Sequence, residues 1–421
     1  MIAREERGAA AGGGTDAETD VALVEPPAPR ADEVSEEGEH KEKLSARYNP
    51  SMLPSPIRIA GAGPAGLACA IALARAGREV VVSEMRDTAA RVGPALELLE
   101  NWSEEGDALA LFDALGLDPD GLTAPVTEVD LFDAELRRTR AASRQPFAYL
   151  VRRGDSEGSL DTALLGRARA AGAEVRFGER REWKSVHVLA TGPAQPDLAA
   201  KRMLFHTDAP ERAQLLFDST RAPGGYGSLI VAGGFGAFGC LIARDRKHLD
   251  RHFDACLQRF RKISDFSISD EQSTTGGVSC LVPGSSQIGG TRVVGEAAGS
   301  RELLFGLGLR GAIADGLLAA ESVLRGQSFD ALCEEGSAPR TRASLAARFR
   351  FERMSDGAVR RALARCSRGD LRERLRRCAK PSFMAEATAI VARLAWPPPE
   401  SCAHSLSDHW CRRIEADRES E

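Results

Sequence analysis

Three glycines and an acid set out the first chemical possibility. In Ile57-Arg58-Ile59-Ala60-Gly61-Ala62-Gly63-Pro64-Ala65-Gly66 the glycines follow a G-x-G-x-x-G spacing. Glu84 closes a second apolar run, Val80-Val81-Val82-Ser83, 23 residues after Gly61. Gly61 permits a tight turn, Gly63 lets the backbone approach a pyrophosphate, and Gly66 lets helix and strand pack closely. A helix opening at Pro64 and Ala65 aims its unpaired N–H groups and positive dipole end at the phosphates. Glu84 is placed to accept hydrogen bonds from ribose hydroxyls. Met85 and Arg86 follow it among the cofactor contacts, with Arg86 facing either adenosine or solvent.

A second glycine-rich element stands more than two hundred residues later. It reads Gly295-Glu296-Ala297-Ala298-Gly299, then Gly306-Leu307-Gly308-Leu309 at the start of an alanine-rich helix. An NAD site usually completes itself within one compact stretch, whereas FAD is longer and needs a second cradle for its ribityl chain and ring. The two elements together predict FAD. Glu296 is placed to accept from ribityl hydroxyls. The helix starting near Gly308 and Leu309 points its N-terminus at the flavin pyrimidine edge, where reduction deposits negative charge.

These residues need a strand, helix and strand at 57–84 and a helix from 309 to about 324. In the first helix Ala65, Ala68, Ala72 and Ala76 alternate with larger apolar residues, so it can lie close on a sheet, and Gly77 stops it. An excursion follows from 86 to about 145, with an amphipathic helix at 107–115. The sheet is expected to resume with a strand at 147–152, a helix at 159–171 and strands at 173–177 and 186–190, the last ending in Thr191-Gly192. Residues 202–245 alternate as short strands punctuated by glycine pairs, which predicts antiparallel sheet. A helix at 248–261 comes next, and beyond 331 the chain is helical and arginine-rich.

Length and composition bound the class. The 421 residues exceed one small core, and 43% hydrophobic with 28% charged residues is ordinary for a soluble globular protein. The net charge of −5 is concentrated at the start: residues 1–50 hold 12 acids and 6 bases, and the remainder is near neutral. That stretch reads as a disordered acidic extension. No global basic field points to nucleic acid, and no apolar run approaches a transmembrane span. The start carries Glu5 and Glu6 in place of a signal peptide's apolar core. Nine cysteines never form a C-x-x-C pair, which predicts reduced thiols and a cytoplasmic location.

The combination of Gly61, Gly63, Gly66 and Glu84, Ala190-Thr191-Gly192, Gly295–Gly299 and Gly306-Leu307-Gly308 resembles the FAD-dependent oxidoreductases related to geranylgeranyl reductases. Flavoprotein hydroxylases and flavin halogenases are more distant members of the same superfamily. Pro223-Gly224-Gly225-Tyr226-Gly227 also resembles that group's substrate-domain turn. The resemblance spans about 55–330 and implies an α/β fold, a Rossmann-like FAD-binding domain interleaved with an antiparallel-sheet substrate domain, plus C-terminal helices. The implied FAD domain takes 54–90, 146–200 and 278–330, the substrate domain 91–145 and 201–277, and the helical region 331–421. It further implies that Arg153 contacts the ribityl chain or pyrophosphate; the alternative is a solvated charge pair with Arg152.

The family's usual aspartate is here Glu296, about 1.5 Å longer, and a proline before the final glycines is here Leu303. The D-G-x-x-S signature of hydroxylases is only Thr191-Gly192-Pro193-Ala194, and the W-x-W-x-I-P segment of tryptophan halogenases is absent. The resemblance then favours reduction or dehydrogenation of a hydrophobic small molecule by hydride transfer at the flavin. A monooxygenase of the same fold, and a flavin-binding isomerase, cyclase or binding module without net redox turnover, are the alternatives. With a single G-x-G-x-x-G, reducing equivalents must come from outside, for instance from NAD(P)H. Trp102 and Tyr226 are candidates to line the substrate pocket or to pack the core. No catalytic acid or base is predicted.

His248 and His252 have i, i+4 spacing compatible with a metal, but amid Arg246, Lys247, Asp250 and Arg251 they read as a solvated helix face, and no metal site is predicted. The basic segment 372–380 is either a solvated helix packed on the body or a surface for a membrane, an acidic carrier protein or RNA.

Overall fold

The computed structural model describes residues 56–89, 93–192, 196–299, 302–396 and 409–412. The expected acidic extension at 1–50 lies outside the described residues.

The chain opens with β1 (Ile57–Ala60), α1 (Pro64–Arg75) and β2 (Val80–Ser83). Then come β3 (Ala95–Glu100), α2 (Ala110–Leu115), β4 (Thr123–Val126), β5 (Glu128–Phe132), β6 (Arg138–Ala142) and β7 (Ala148–Arg153). A helix α3 (Leu160–Ala170) leads to β8 (Glu174–Arg176) and β9 (Val188–Leu189). The middle of the chain is β10 (Leu198–His206), β11 (Arg212–Leu216), β12 (Tyr226–Ala232), β13 (Phe235–Ile242), α4 (Leu249–Ile263) and β14 (Ser269–Val278). Three short strands, β15 (Leu281–Pro283), β16 (Gln287–Ile288) and β17 (Thr291–Val293), precede α5 (Leu309–Arg325). The rest is helical: α6 (Phe329–Glu335), α7 (Ser337–Glu352), α8 (Asp356–Cys366), α9 (Leu371–Ala379) and α10 (Phe383–Ala395), then β18 (His409–Cys411), which pairs with β15.

The nucleotide-type sheet has the order β16-β17-β9-β1-β2-β8. Its strands from β17 to β8 are parallel, and β1 aligns with β2 from Ile57 opposite Val80 to Ala60 opposite Ser83. One core fills the space between this sheet and α1, α3 and α5, with Ile59, Val82 and Val188 from strands meeting Leu67, Ile71, Leu164 and Ile313 from helices. Alanines and glycines dominate the α1–α5 contact. A Cβ on Gly316 would lie 2.2 Å from the Ala65 carbonyl oxygen, so the two helices touch backbone to backbone.

The second sheet has the order β14-β10-β13-β12-β11-β5-β6, antiparallel except where β11 runs beside β5. Strand β12 alternates buried and half-buried residues, as a two-sided sheet requires. Leu229, Val231 and Phe238 face Phe253, Cys256 and Phe260 of α4. On the opposite face Val129, Leu131 and Leu215 meet Val359, Leu363 and Leu371 of α8 and α9. The glycine-rich strands serve packing: a Cβ on Gly225 would lie 1.7 Å from the Leu241 carbonyl oxygen, and one on Gly236 would enter the Phe205 ring.

The Rossmann-like α/β fold, the antiparallel sheet and the C-terminal helices are those expected. One strand is elsewhere. The run at 147–152 does not join the parallel sheet; β7 is the centre of a separate three-stranded antiparallel sheet, β3-β7-β4. A continuous apolar run suits any strand with two neighbours, so it specifies a central strand without saying of which sheet. Strand β14 was not predicted, because Ser-Asp-Glu-Gln-Ser-Thr-Thr has no apolar alternation. It is an edge strand held by its register with β10.

Candidate functional site

The glycine turn between β1 and α1 is the centre of the site. Two of its glycines are required by the chain itself. Gly61 has φ of +102°, and a Cβ there would lie 2.3 Å from the Ala190 carbonyl oxygen; one on Gly66 would lie 2.0 Å from the Gly61 carbonyl oxygen. Gly63 differs. Its backbone is extended, and a Cβ there would meet nothing within 4 Å. The open space at Gly63 lies at the N-terminus of a twelve-residue helix that has Pro64 at its start and no side-chain cap. An uncapped helix start with a cleared approach is what an anionic group needs.

Glu84 half-closes the turn from the end of β2. Its Oε2 accepts from the Ala62 N–H at 2.9 Å and its Oε1 from the Arg86 N–H at 3.1 Å. The carboxylate is thereby oriented beside the turn with lone pairs to spare. Met85 and Arg86 are exposed beyond it. Ala190, against which Gly61 packs, carries Thr191 and Gly192 to the same place, Gly192 with φ of +79°.

The second glycine element comes to the first. Gly295 has φ of +64°, and a Cβ on it would lie 3.1 Å from the Ala65 Cβ and 3.5 Å from the Ala312 Cβ. Ala65 and Ala312 are in the first turns of α1 and α5, so the two helix N-termini converge on the Gly295–Ala298 turn. The Gly295 N–H donates to Asp315 of α5 at 3.2 Å. Glu296 is half-buried on that turn. Gly308 is the N-cap of α5, Leu309 its first, buried residue, and Gly306 sits at φ of +74° against Val278.

Between Gly299 and Gly308, residues 302–307 form a closed turn. The Glu302 N–H donates to the Leu307 carbonyl at 2.8 Å and the Leu307 N–H returns to Glu302 at 3.0 Å. The Glu302 carboxylate accepts from the Phe305 N–H at 2.8 Å and the Leu304 N–H at 3.2 Å. The turn that lacks a proline at Leu303 is thus held by a buried carboxyl group. Burial pushes that group up to about 7, against the pull of those N–H donors and with help from nearby Glu100.

Trp102 and Tyr226 meet on this turn. Both rings pack edge-on against Phe305, at 5.9 and 5.8 Å, and the Tyr226 hydroxyl donates to the Phe305 carbonyl at 2.7 Å. Burial, reinforced by Glu302, raises the Tyr226 phenol far above its usual range. Phe305, Glu302 and the buried Arg310, whose guanidinium donates to the Gly106 carbonyl at 2.9 Å, were not anticipated. Phe305 was findable, because it directly precedes Gly306. Arg310 gave no signal, since an arginine in a first helical turn is usually solvated.

Arg153 is tied into the body of the protein. All three of its guanidinium nitrogens are engaged: Nε and Nη2 by Asp161 at 2.8 Å each, and Nη1 by Glu97 at 2.5 Å. Glu97 also pairs with Arg202. Arg153 is a buried cation held by two carboxylates, not the solvated charge of the alternative reading. Its partners stand 8 and 56 residues away, beyond the reach of spacing arguments. His248 and His252 both bind Asp245, at 2.6 and 2.8 Å. Among the described residues no group of three or more His, Cys, Asp or Glu is disposed to hold a metal ion. In the basic segment, Arg372 donates to the Asn101 carbonyl at 2.6 Å, so that end of α9 is tied to the body.

Known proteins agree with this architecture. The family model for NAD(P)-binding Rossmann-like domains matches residues 59–91, the stretch from β1 past Glu84. No curated protein sequence matches the chain. Among solved structures it is similar to a geranylgeranyl bacteriochlorophyll reductase-like protein from Thermoplasma acidophilum, with a TM-score of 0.62 at 18% identity over 80% of this chain and 95% of that one. The flavin-dependent brominase Bmp2 gives 0.58 at 16%, covering 80% and 97%. The Diels-Alderase PyrE3 of pyrroindomycin biosynthesis gives 0.52 at 17%, covering 77% and 80%. The chain therefore has the fold of this group, opened by a Rossmann-like nucleotide-binding unit. Three different reactions on one fold leave the reaction to be argued from the site.

Proposed function

We propose that the chain is a flavoenzyme that holds FAD between its two glycine elements and reduces or dehydrogenates a hydrophobic organic molecule. The observation that carries this reading is the meeting of Gly295 with the first turns of both α1 and α5. One helix start beside Gly63 receives a pyrophosphate; a second start, supplied from more than two hundred residues away, serves a cofactor with a second end. FAD supplies hydride chemistry when bound. The chain's own residues do the rest. The N-terminus of α1 holds the phosphates, Glu84 accepts from ribose, and Glu296 accepts from the ribityl chain. The N-terminus of α5 favours negative charge at the ring's edge. Trp102, Phe305 and Tyr226 exclude water and give an apolar wall for a flat or conjugated substrate. An external donor such as NAD(P)H supplies reducing equivalents.

The test is direct. Purified protein should be yellow and release FAD on denaturation. Anaerobic reduction followed by oxygen and candidate substrates should give no oxygen-containing product; incorporation of oxygen would make it a monooxygenase. Turnover without any redox change in the bound flavin would favour a cyclase or isomerase.

A further inference from the structure

Helix α10 is built inside out. Its inward face is Ala385, Ala389 and Ala392, packed in one core with Leu345, Ala346 and Phe349 of α7. Its outward face carries Phe383, Met384, Ile390, Val391 and Leu394, exposed by 85, 64, 57, 51 and 78%. At about 100° per residue these five fall within a stripe roughly 120° wide. Scattered apolar residues on a surface are ordinary, but a contiguous set on one helix face marks an interaction site.

The orientation of the helix is pinned. Arg342 on α7 donates to both oxygens of Glu386 at 3.0 Å. Arg350 donates to the Met384 carbonyl at 3.2 Å and the Thr388 hydroxyl at 2.7 Å. Ser382 caps the helix through the Ala385 N–H at 3.2 Å, and Trp396 at its far end packs edge-on to Phe349 at 5.0 Å. Turning the stripe inward would break all of these at once.

Charge decides the occupant. Glu386, the one acid on α10, shares Arg342 with Glu334 of a neighbouring helix, and Glu373 is paired with Arg376. Arg377 and Lys380 just ahead of the helix, and Arg393 within it, are exposed. An apolar stripe bordered by cations, on a helix with no unpaired acid, is the pattern of an interfacial helix. We propose that α10 lies flat on an anionic lipid surface, with its five apolar side chains among the acyl chains and Arg377, Lys380 and Arg393 at the headgroups. A second copy of the chain fits less well. Two-fold pairing would bring the same cations together, and a helix about 20 Å long offers far less than the roughly 800 Å² per partner of a stable interface. The proposal is independent of the flavin reading.

The full chain is sedimented with vesicles of phosphatidylcholine alone and of phosphatidylcholine mixed with phosphatidylglycerol. It should bind the mixed vesicles, and more weakly as salt is raised. Phe383→Ser with Leu394→Ser should weaken binding roughly ten-fold or more with an unchanged circular dichroism spectrum, because both side chains are already in solvent. Arg393→Glu should act in the same direction. Failure of the wild type to bind mixed vesicles, or equal binding by the double variant, would overturn the proposal. So would a wild-type dimer in analytical ultracentrifugation that the same double variant splits.

Discussion

At the scale of single residues, the three glycines of the first turn separate by what a side chain would strike. Gly61 and Gly66 face backbone at 2.3 and 2.0 Å, whereas Gly63 faces open space. Gly63→Val should therefore fold with near-native stability and lose its cofactor, while Gly61→Val and Gly66→Val should cost stability, on the order of a few kcal/mol each. Thermal melts alongside flavin content distinguish the two effects. The Arg153 cluster makes a second prediction. Asp161→Ala strips a bidentate partner from a buried guanidinium, at a cost of about 3–5 kcal/mol in a denaturant titration, with Glu97 left to compensate in part. Glu302 makes a third. Its carboxyl is raised from 4.5 to about 7 by burial, so in the window between those values the folded chain binds more protons than the unfolded one. This contribution to stability is full below about 4.5 and falls as pH rises through about 7. Glu302→Gln should flatten that slope in melts taken across the window; an unchanged slope would mean that Glu302 does not titrate there.

At the scale of elements, the contact between α1 and α5 matters more than either helix alone. Gly316 lets the two backbones touch, and the same contact sets Ala65 and Ala312 on either side of Gly295. Gly316→Leu should lower thermal stability and flavin retention together, although residue 316 lies two turns into α5 from its N-cap; loss of neither would mean the helices do not need this approach. The elements also show how far patterning reads. The β1–turn–α1–β2 unit was legible because strand, glycines, helix and acid each constrain the same few residues. The strands β10 to β13 are legible from alternation, although their order β10-β13-β12-β11 is not. Strand β7 lies outside the parallel sheet, although its apolar run fits a central position in either sheet, and β14 escapes patterning because an edge strand with a polar face needs no apolar period. The inverted face of α10 was also hidden. Its sequence is amphipathic in size rather than polarity, and size alone does not say which side meets the protein.

At the scale of the whole molecule, the candidate site is assembled from segments far apart in sequence. Residues 61–66, 84, 190–192, 295–299 and 306–309 are legible as a set, because glycine spacing and helix starts are local signals. What closes the site was not readable. Phe305 meets Tyr226, Arg310 meets Gly106 and Arg153 meets Glu97 across 56 to 204 residues, which no local pattern encodes. The fold likewise carries reductase-like, halogenating and Diels–Alder proteins, so architecture alone does not choose a reaction. On the proposed reading the two glycine elements together hold one FAD. The most direct measurement is the absorbance spectrum of the purified full chain, with mass spectrometry of whatever it releases on denaturation, for the wild type and Gly63→Val. The wild type should be yellow and release about one FAD per chain, and the variant should be folded and colourless. A folded, colourless wild type that takes up no FAD and binds only NAD would contradict that reading.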